Sequence, residues 1–358
     1  ENIDDNIQRI RDKLNLFNLS EDTLIIFLTD NGPNSWRYNG NMRGRKGHVH
    51  EGGARVPLFV TWTNHIEAET FIEPIAAHID IMPTLMDICN IQMPANLALD
   101  GVSLKPLLLG EPGDYAHMDR MLFTFRNDAS FSNDGAARTQ RWRGIYKAED
   151  RSWALYDIQR DPEEKNDLHA QYPEVLKKLR SAYEQKVAEV RAAGFDPIPI
   201  EIGHNQWPIV TLPGHEAFLY PQKGEGISYQ VGPGWANDWV TNWTDPDAYP
   251  YWELDVKREG IYQVTLYYTC PEKDLHSRIR VEAGGGSLEG LIRKPHDPEH
   301  IPSPDRIPRK EVYEKVWAPL TLGRLRMQSG LTRLTVRALE KTGDAIMELK
   351  AVRLVKLT

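Results

Sequence analysis

"TLIIFLTDNGPNSWRYNGNMRGRKGHVHEGGARVPLFVTW", residues 23–62, passes from an apolar segment through a polar loop into a second apolar segment. Leu24-Ile25-Ile26-Phe27-Leu28 shows no polar alternation, the pattern of a parallel strand covered on both faces. Val56–Trp62 reads as a second strand. The chain leaves the first strand directly into Asp30-Asn31-Gly32, then strings Arg43, Arg45, Lys46, His48 and His50 between glycines. Open α/β sheets bind their ligands in such loops, beyond the carboxyl ends of the strands.

Working outward, Ile3, Ile7, Ile10 and Leu14 recur at helical spacing ahead of the first strand. The sequence opens inside this helix, with no initiator Met and no leader, and is read as the C-terminal part of a longer polypeptide. "HIDIMPTLMDICNI", from His78, predicts a helix with Asp80 as its cap and Pro83 in its first turn. His78 and Asp80 are taken as packing and capping residues. "RMLFTFR", "RWRGIYKA" and "WALYDI" predict a small antiparallel sheet between about 119 and 160, and Tyr172–Ala192 a charged helix stopped by Gly194.

Beyond an irregular linker at 195–215 the period becomes two: Tyr262, Val264, Leu266 and Tyr268 share a face, as do Leu334, Val336 and Ala338. Further strands are predicted at 250–256, 277–282, 311–318, 322–328 and 346–355, together a β-sandwich, with 283–310 as a long loop inserted in it. Trp235, Trp239 and Trp243 either offer faces to a sugar or pack inside the sandwich. The predicted division is 1–118, an α/β portion; 119–194, a small subdomain; 195–215, a linker; and 216–358, the sandwich. His296 and His300 belong to the predicted loop and are not assigned to a metal.

Bulk properties narrow the function. The 358 residues call for two or three domains, and 41% hydrophobic with 26% charged residues is a soluble globular composition. A net charge of −8 excludes a general nucleic-acid binder, and no apolar run reaches the roughly 18 residues of a membrane span. Cys89 and Cys270 have neither metal spacing nor a disulfide framework and are read as free buried thiols.

Asp30 and Asn31 together offer a carboxylate and an amide oxygen, the donors a hard cation such as calcium or magnesium takes, although two oxygens cannot complete a six- to eight-ligand shell. The same three residues also suit a plain turn. Lys46 follows Asp30 by sixteen residues, close enough in sequence for the loop to bring its ammonium to an anion held by the metal.

"TLIIFLTDNG", "GRKGHVHEGGARVP", "HIDIMPTLMDI", "DGVSLKPLL" and "LYDIQRDPEEKNDL" together resemble, in order, the signatures of the type I sulfatase family, over roughly residues 1 to 190. The resemblance implies an α/β alkaline-phosphatase-like fold, hydrolysis of sulfate esters, a formylglycine nucleophile made from cysteine, and calcium holding the sulfate, with magnesium the lesser alternative. It implies that Asp30 and Asn31 are metal ligands, that Asn31 also approaches a sulfate oxygen, and that Lys46 is catalytic at the sulfate and leaving oxygen. His48 and His50 would contact substrate, while Glu51 positions the loop and Arg55 is structural. The nucleophile motif, Cys or Ser followed by x-Pro-x-Arg, is absent from the sequence, and "SPDR" at 303–306 has its proline out of register. The remaining half of the site is therefore expected upstream on the same polypeptide. A sulfated poly- or oligosaccharide is the implied substrate, met in the periplasm or outside the cell; a phosphoryl-transfer relative and a non-catalytic binding relative are the alternatives.

Overall fold

A computed structural model of the chain describes residues 2–94, 96–112, 115, 119–126, 133–222, 224–303 and 312–357. It divides into two compact units, Glu1–Phe195 and Asp196–Thr358. The first begins with helix α1 (Asn2–Leu16), strand β1 (Ile25–Leu28), the short helix α2 (Glu51–Ala54) and strand β2 (Leu58–Thr61). Helices α3 (Ile81–Ile88) and α4 (Lys105–Leu108) follow, then β3 (Leu122–Phe125), β4 (Gly135–Arg138), β5 (Trp142–Lys147), β6 (Ser152–Asp157) and the long helix α5 (Pro173–Ala193).

β1 does not have the surroundings its composition suggests. It pairs antiparallel with β2, from Ile25 opposite Thr61 to Leu28 opposite Leu58, and all four of its residues are only half-buried. On β2, Val60 packs against the small cluster of Leu104 and Leu108, whereas Phe59 faces solvent. An unbroken apolar run reports that both faces can be buried, and says nothing of the direction of the neighbouring strand.

The four-stranded sheet β3-β4-β5-β6 is the largest sheet of this unit, antiparallel throughout. Because successive side chains alternate between faces, Ala137 and Leu155 meet Leu179 and Tyr183 of α5 on one side. Their neighbours Ala136, Ala154 and Tyr156, with Ile145, face the other way and enclose Val49, which comes from the polar loop. The sheet is thus covered by a helix on one face and by the candidate-site loop on the other.

Asp80 is buried, but its carboxylate does not cap α3. It accepts from the backbone N–H of Ala77 at 2.7 Å and of Val102 at 2.9 Å, and pairs with Arg120, tying the start of α3 to two other segments. Of the cysteines, Cys270 is buried, while Cys89 is exposed, contrary to expectation, since it sits on the last, outward turn after α3.

In the second unit, β7 (Ile200–Ile202), β8 (Ile209–Pro213) and β9 (Phe218–Tyr220) come first, followed by β10 (Ser228–Tyr229) and β11 (Val240–Thr241). β12 (Tyr249–Val256), β13 (Gly260–Thr269), β14 (Arg278–Ala283) and β15 (Gly286–Leu291) succeed them, then β16 (Ala318–Met327), β17 (Gly330–Glu340) and β18 (Glu348–Leu357). One sheet has the order β10-β11-β18-β13-β16 with β8 added on β18; the other runs β15-β14-β17-β12-β7 with β9 added on β12. Their inward residues, among them Leu212, Trp252, Leu254, Tyr262, Val264, Leu266, Leu334, Val336 and Val352, form a single apolar core.

Three expectations change here. The segment 195–215 is no irregular linker: β7 and β8 lie within it, one in each sheet, and their residues Ile202 and Leu212 are core. Nor is 283–310 a single loop, because β14 and β15 form a hairpin through Gly284-Gly285, at φ 56° and 82°. Positive φ at both central positions is what a two-residue hairpin turn with the right twist requires, so the glycine run is a turn signal. The strand expected at 311–318 begins only at Ala318, and "SPDR" falls partly outside the described residues. Trp239 and Trp243 are core residues, the latter donating from Nε1 to the carbonyl of Ala248 at 2.8 Å, whereas Trp235 is partly exposed.

Trp252→Ala removes one of the largest side chains of the core between the two sheets. Its expected cost is about 3–5 kcal/mol of the second unit's stability, read from the midpoint of denaturant-induced unfolding.

Candidate active-site loop

The loop from Asp30 to Arg55 is built as two arms that hydrogen-bond to each other. The N–H of Gly32 donates to the carbonyl of Gly53 at 2.9 Å, that of Lys46 to Pro33 at 3.0 Å, and that of Gly52 to Arg43 at 2.7 Å. Gly32 is required by close approach: a Cβ there would lie 1.9 Å from the carbonyl oxygen of Gly52. These bonds carry Lys46 back beside the residues that follow Asp30 and Asn31, the folding-back that the spacing anticipated.

Asp30 is exposed and Asn31 half-buried at the carboxyl end of β1. Thr29 Oγ1 donates to the backbone carbonyl of Asn31 at 3.2 Å. A ring nitrogen of His78 lies 2.9 Å from the carbonyl of Thr29, so His78, read from sequence as a packing residue, braces the strand end that presents the pair. Lys46 and His48 are exposed, and His50 is half-buried. His48 is less basic than an ordinary imidazole, because of burial first and the nearby His50 and Arg45 charges second.

What holds this loop is a buried set of charges that sequence reasoning largely missed. Glu51, the first residue of α2, is fully buried, and its Oε1 accepts from Arg143 at 2.5 Å and Arg138 at 3.0 Å. Arg143 also donates to the carbonyl of Val49 at 2.5 Å. Glu164, also buried, accepts from the backbone N–H of Glu51 at 3.0 Å, and its carboxylate lies 3.2 Å from Nδ1 of His50. Arg43 reaches the hydroxyl of Tyr156 at 3.2 Å and the carbonyl of Glu164 at 3.4 Å. Only the positioning role of Glu51 was anticipated. Arg138, Arg143 and Glu164 were invisible because their partners lie about ninety or more positions away; an arginine in an otherwise apolar strand was the one signal available.

Burial alone would raise the Glu51 carboxyl, but Arg143 and Arg138 outweigh it and hold its pKa below the usual value. A depressed carboxylate contributes stability that is present above its unfolded pKa and lost as pH falls through the folded one.

Two hard oxygen donors stand side by side with neither side chain engaged by another described residue, which suits a divalent cation. Among the described residues no group of three or more His, Cys, Asp or Glu side chains could hold a metal ion, and two oxygens alone fall short of the six to eight a calcium ion takes.

Comparison with known proteins finds similarity to sulfatases. Residues 45–192 match the family model described as N-sulphoglucosamine sulphohydrolase, C-terminal. Arylsulfatase A from Homo sapiens is 31% identical over 215 residues, covering 52% of this chain and 42% of its own length. N-acetylgalactosamine-6-O-sulfatase from Bacteroides thetaiotaomicron is 27% identical over 205 residues, covering 51% and 40% respectively. A native structure of a family 35 carbohydrate binding module from Clostridium thermocellum has 12% identity and a TM-score of 0.29, covering 42% of this chain and 98% of the module. The chain thus spans about two fifths of the length of these two curated sulfatases, and the family-model match falls within its first unit.

Arg143→Met would leave two buried carboxylates with one guanidinium fewer. The expected loss is about 3–5 kcal/mol at pH 7, measured by chemical denaturation. That loss should shrink as pH falls below 4.5, the ordinary value for Glu51, because a protonated carboxyl no longer needs the cation.

Proposed function

From this similarity we propose that the complete protein is a sulfuric ester hydrolase that removes sulfate from a sulfated poly- or oligosaccharide in the periplasm or outside the cell. The observation that supports this reading is the zipped loop, in which the N–H of Lys46 donates to the carbonyl of Pro33, three residues beyond Asp30. The similarity to sulfatases, one of them named for N-acetylgalactosamine 6-sulfate chemistry, supports the reaction class.

In this proposal Asp30 and Asn31 are two of the ligands of a divalent cation, calcium in preference to magnesium. When bound, that ion supplies positive charge against the sulfate oxygens. Asn31 also lies near a sulfate oxygen. Lys46 adds a compact positive charge at the sulfuryl group and the departing oxygen, where negative charge grows in the transition state. His48, held neutral at neutral pH by its depressed basicity, can accept a hydrogen bond from a substrate hydroxyl without adding repulsion to the arginines beside it. His50 contacts Glu164 and approaches substrate from the half-buried side of the loop. The formylglycine nucleophile is assigned to the part of the polypeptide upstream of this chain.

The second unit is read as a β-sandwich appended to the catalytic fold, with carbohydrate binding as its proposed role. No described helix is long and apolar enough to cross a membrane.

Two measurements on the full-length enzyme test the site. Lys46→Ala should lower kcat by about 10²–10³-fold in a sulfate-release assay. Chelation should abolish activity that added calcium restores, and Asp30→Ala should raise the calcium concentration needed for half-maximal rate. Unchanged rates in both would remove the metal-and-lysine assignment, and release of phosphate in place of sulfate would identify a phosphoryl-transfer enzyme.

A further inference from the structure

We propose that Trp36 is a sugar-stacking subsite of this enzyme: its indole face receives a pyranose ring of the substrate, and Arg45 beside it takes an anionic substituent of the same saccharide. The inference rests on the sulfatase reading above and extends it to how the glycan is held.

Trp36 lies six residues beyond Asp30, on the outgoing arm of the loop, and is 73% exposed. A tryptophan in water forgoes a large hydrophobic gain that a stacked ring would recover. It is fixed from the returning arm. His48 meets it edge-on, with ring centroids 6.2 Å apart and an interplanar angle of 80°. The guanidinium of Arg45 lies 5.2 Å from the indole centroid, in cation–π range. Arg45 is itself anchored by donating to the carbonyl of Asn34 at 2.7 Å. The two residues that orient the ring thus flank Lys46 by one and two positions, which places the indole at the rim of the proposed sulfate site.

The chemistry of the occupant follows from charge. Between Asn31 and His50 the loop carries Arg37, Arg43, Arg45 and Lys46 and no carboxylate. Such a surface favours an anion. An indole face favours the axial C–H groups of a pyranose, whose hydrogens carry partial positive charge, as the ring quadrupole favours cations. A sulfated or uronic saccharide satisfies both demands; a neutral apolar ligand leaves the arginines unpaired, and a bare inorganic anion leaves the indole uncovered.

The test uses the full-length enzyme and a panel of chondroitin, dermatan, heparan and carrageenan tetrasaccharides, with inorganic sulfate as a competitive inhibitor. For the tetrasaccharide that is desulfated, Trp36→Ala should raise KM about tenfold, a loss of one stacking contact. Trp36→Phe should stay within about threefold of the parent, and the inhibition constant of inorganic sulfate should be the same in all three proteins. An unchanged KM in Trp36→Ala overturns the stacking role, as does a KM that rises together with the sulfate inhibition constant, since that marks collapse of the loop. If the parent releases sulfate from no member of the panel, the sulfatase reading fails first and this inference with it.

Discussion

The salt-bridged pair Glu51–Arg143 is the contact on which the candidate site depends. Both side chains are almost wholly removed from water, and the carboxylate is shared with Arg138. Burying such charges is costly, and the cost is offset only while every partner stays in place. Its consequence is geometric: a loop with little secondary structure becomes registered against the four-stranded sheet. Val49 enters the apolar face of that sheet beside Ile145 and Tyr156, and Glu51 two residues later enters its charged part. An apolar plug and a charged plug at this spacing leave the intervening residue, His50, only partly covered, and leave Lys46 and His48 on the solvent side.

Opposite faces of the same sheet perform different work. The α5 face is apolar and closely packed, with Leu179 against Gly144 and Tyr183 over Gly135. The loop face is mixed, which suits a support for polar chemistry. A purely apolar support would have held the loop as firmly but would not have specified its register, because hydrophobic contact is non-directional whereas a guanidinium presents donors in fixed directions. The pairing of Glu164 with both the backbone N–H of Glu51 and the ring of His50 extends that directional control to a residue proposed to meet substrate.

The second unit solves a different problem. Its two sheets bury one continuous core, and the outer ends of that core are closed by polar contacts such as Asp238, which accepts from four backbone N–H groups. The charged residues of β17 follow the same economy: Arg333 lies over the ring of Tyr251 at 4.1 Å and Arg337 over Tyr249 at 3.6 Å, so the solvent face is stacked across strands as well as hydrogen-bonded.

Local pattern by itself determined much of this protein. The helical repeat of α5, the strands β3, β5 and β6, and the alternation in β13 and β17 were legible, because period and spacing are properties of neighbouring residues, whereas β4, the short run Gly135–Arg138, carries too little pattern to be read. Tertiary structure alone decided the direction of β1 against β2, the recruitment of β7 and β8 into opposite sheets, and the burial of Trp239 and Trp243. It also decided the pairing of Glu51 with Arg138 and Arg143. Each of those depends on which distant segment lies alongside, and a buried charge has no signature in the sequence until its partner is beside it.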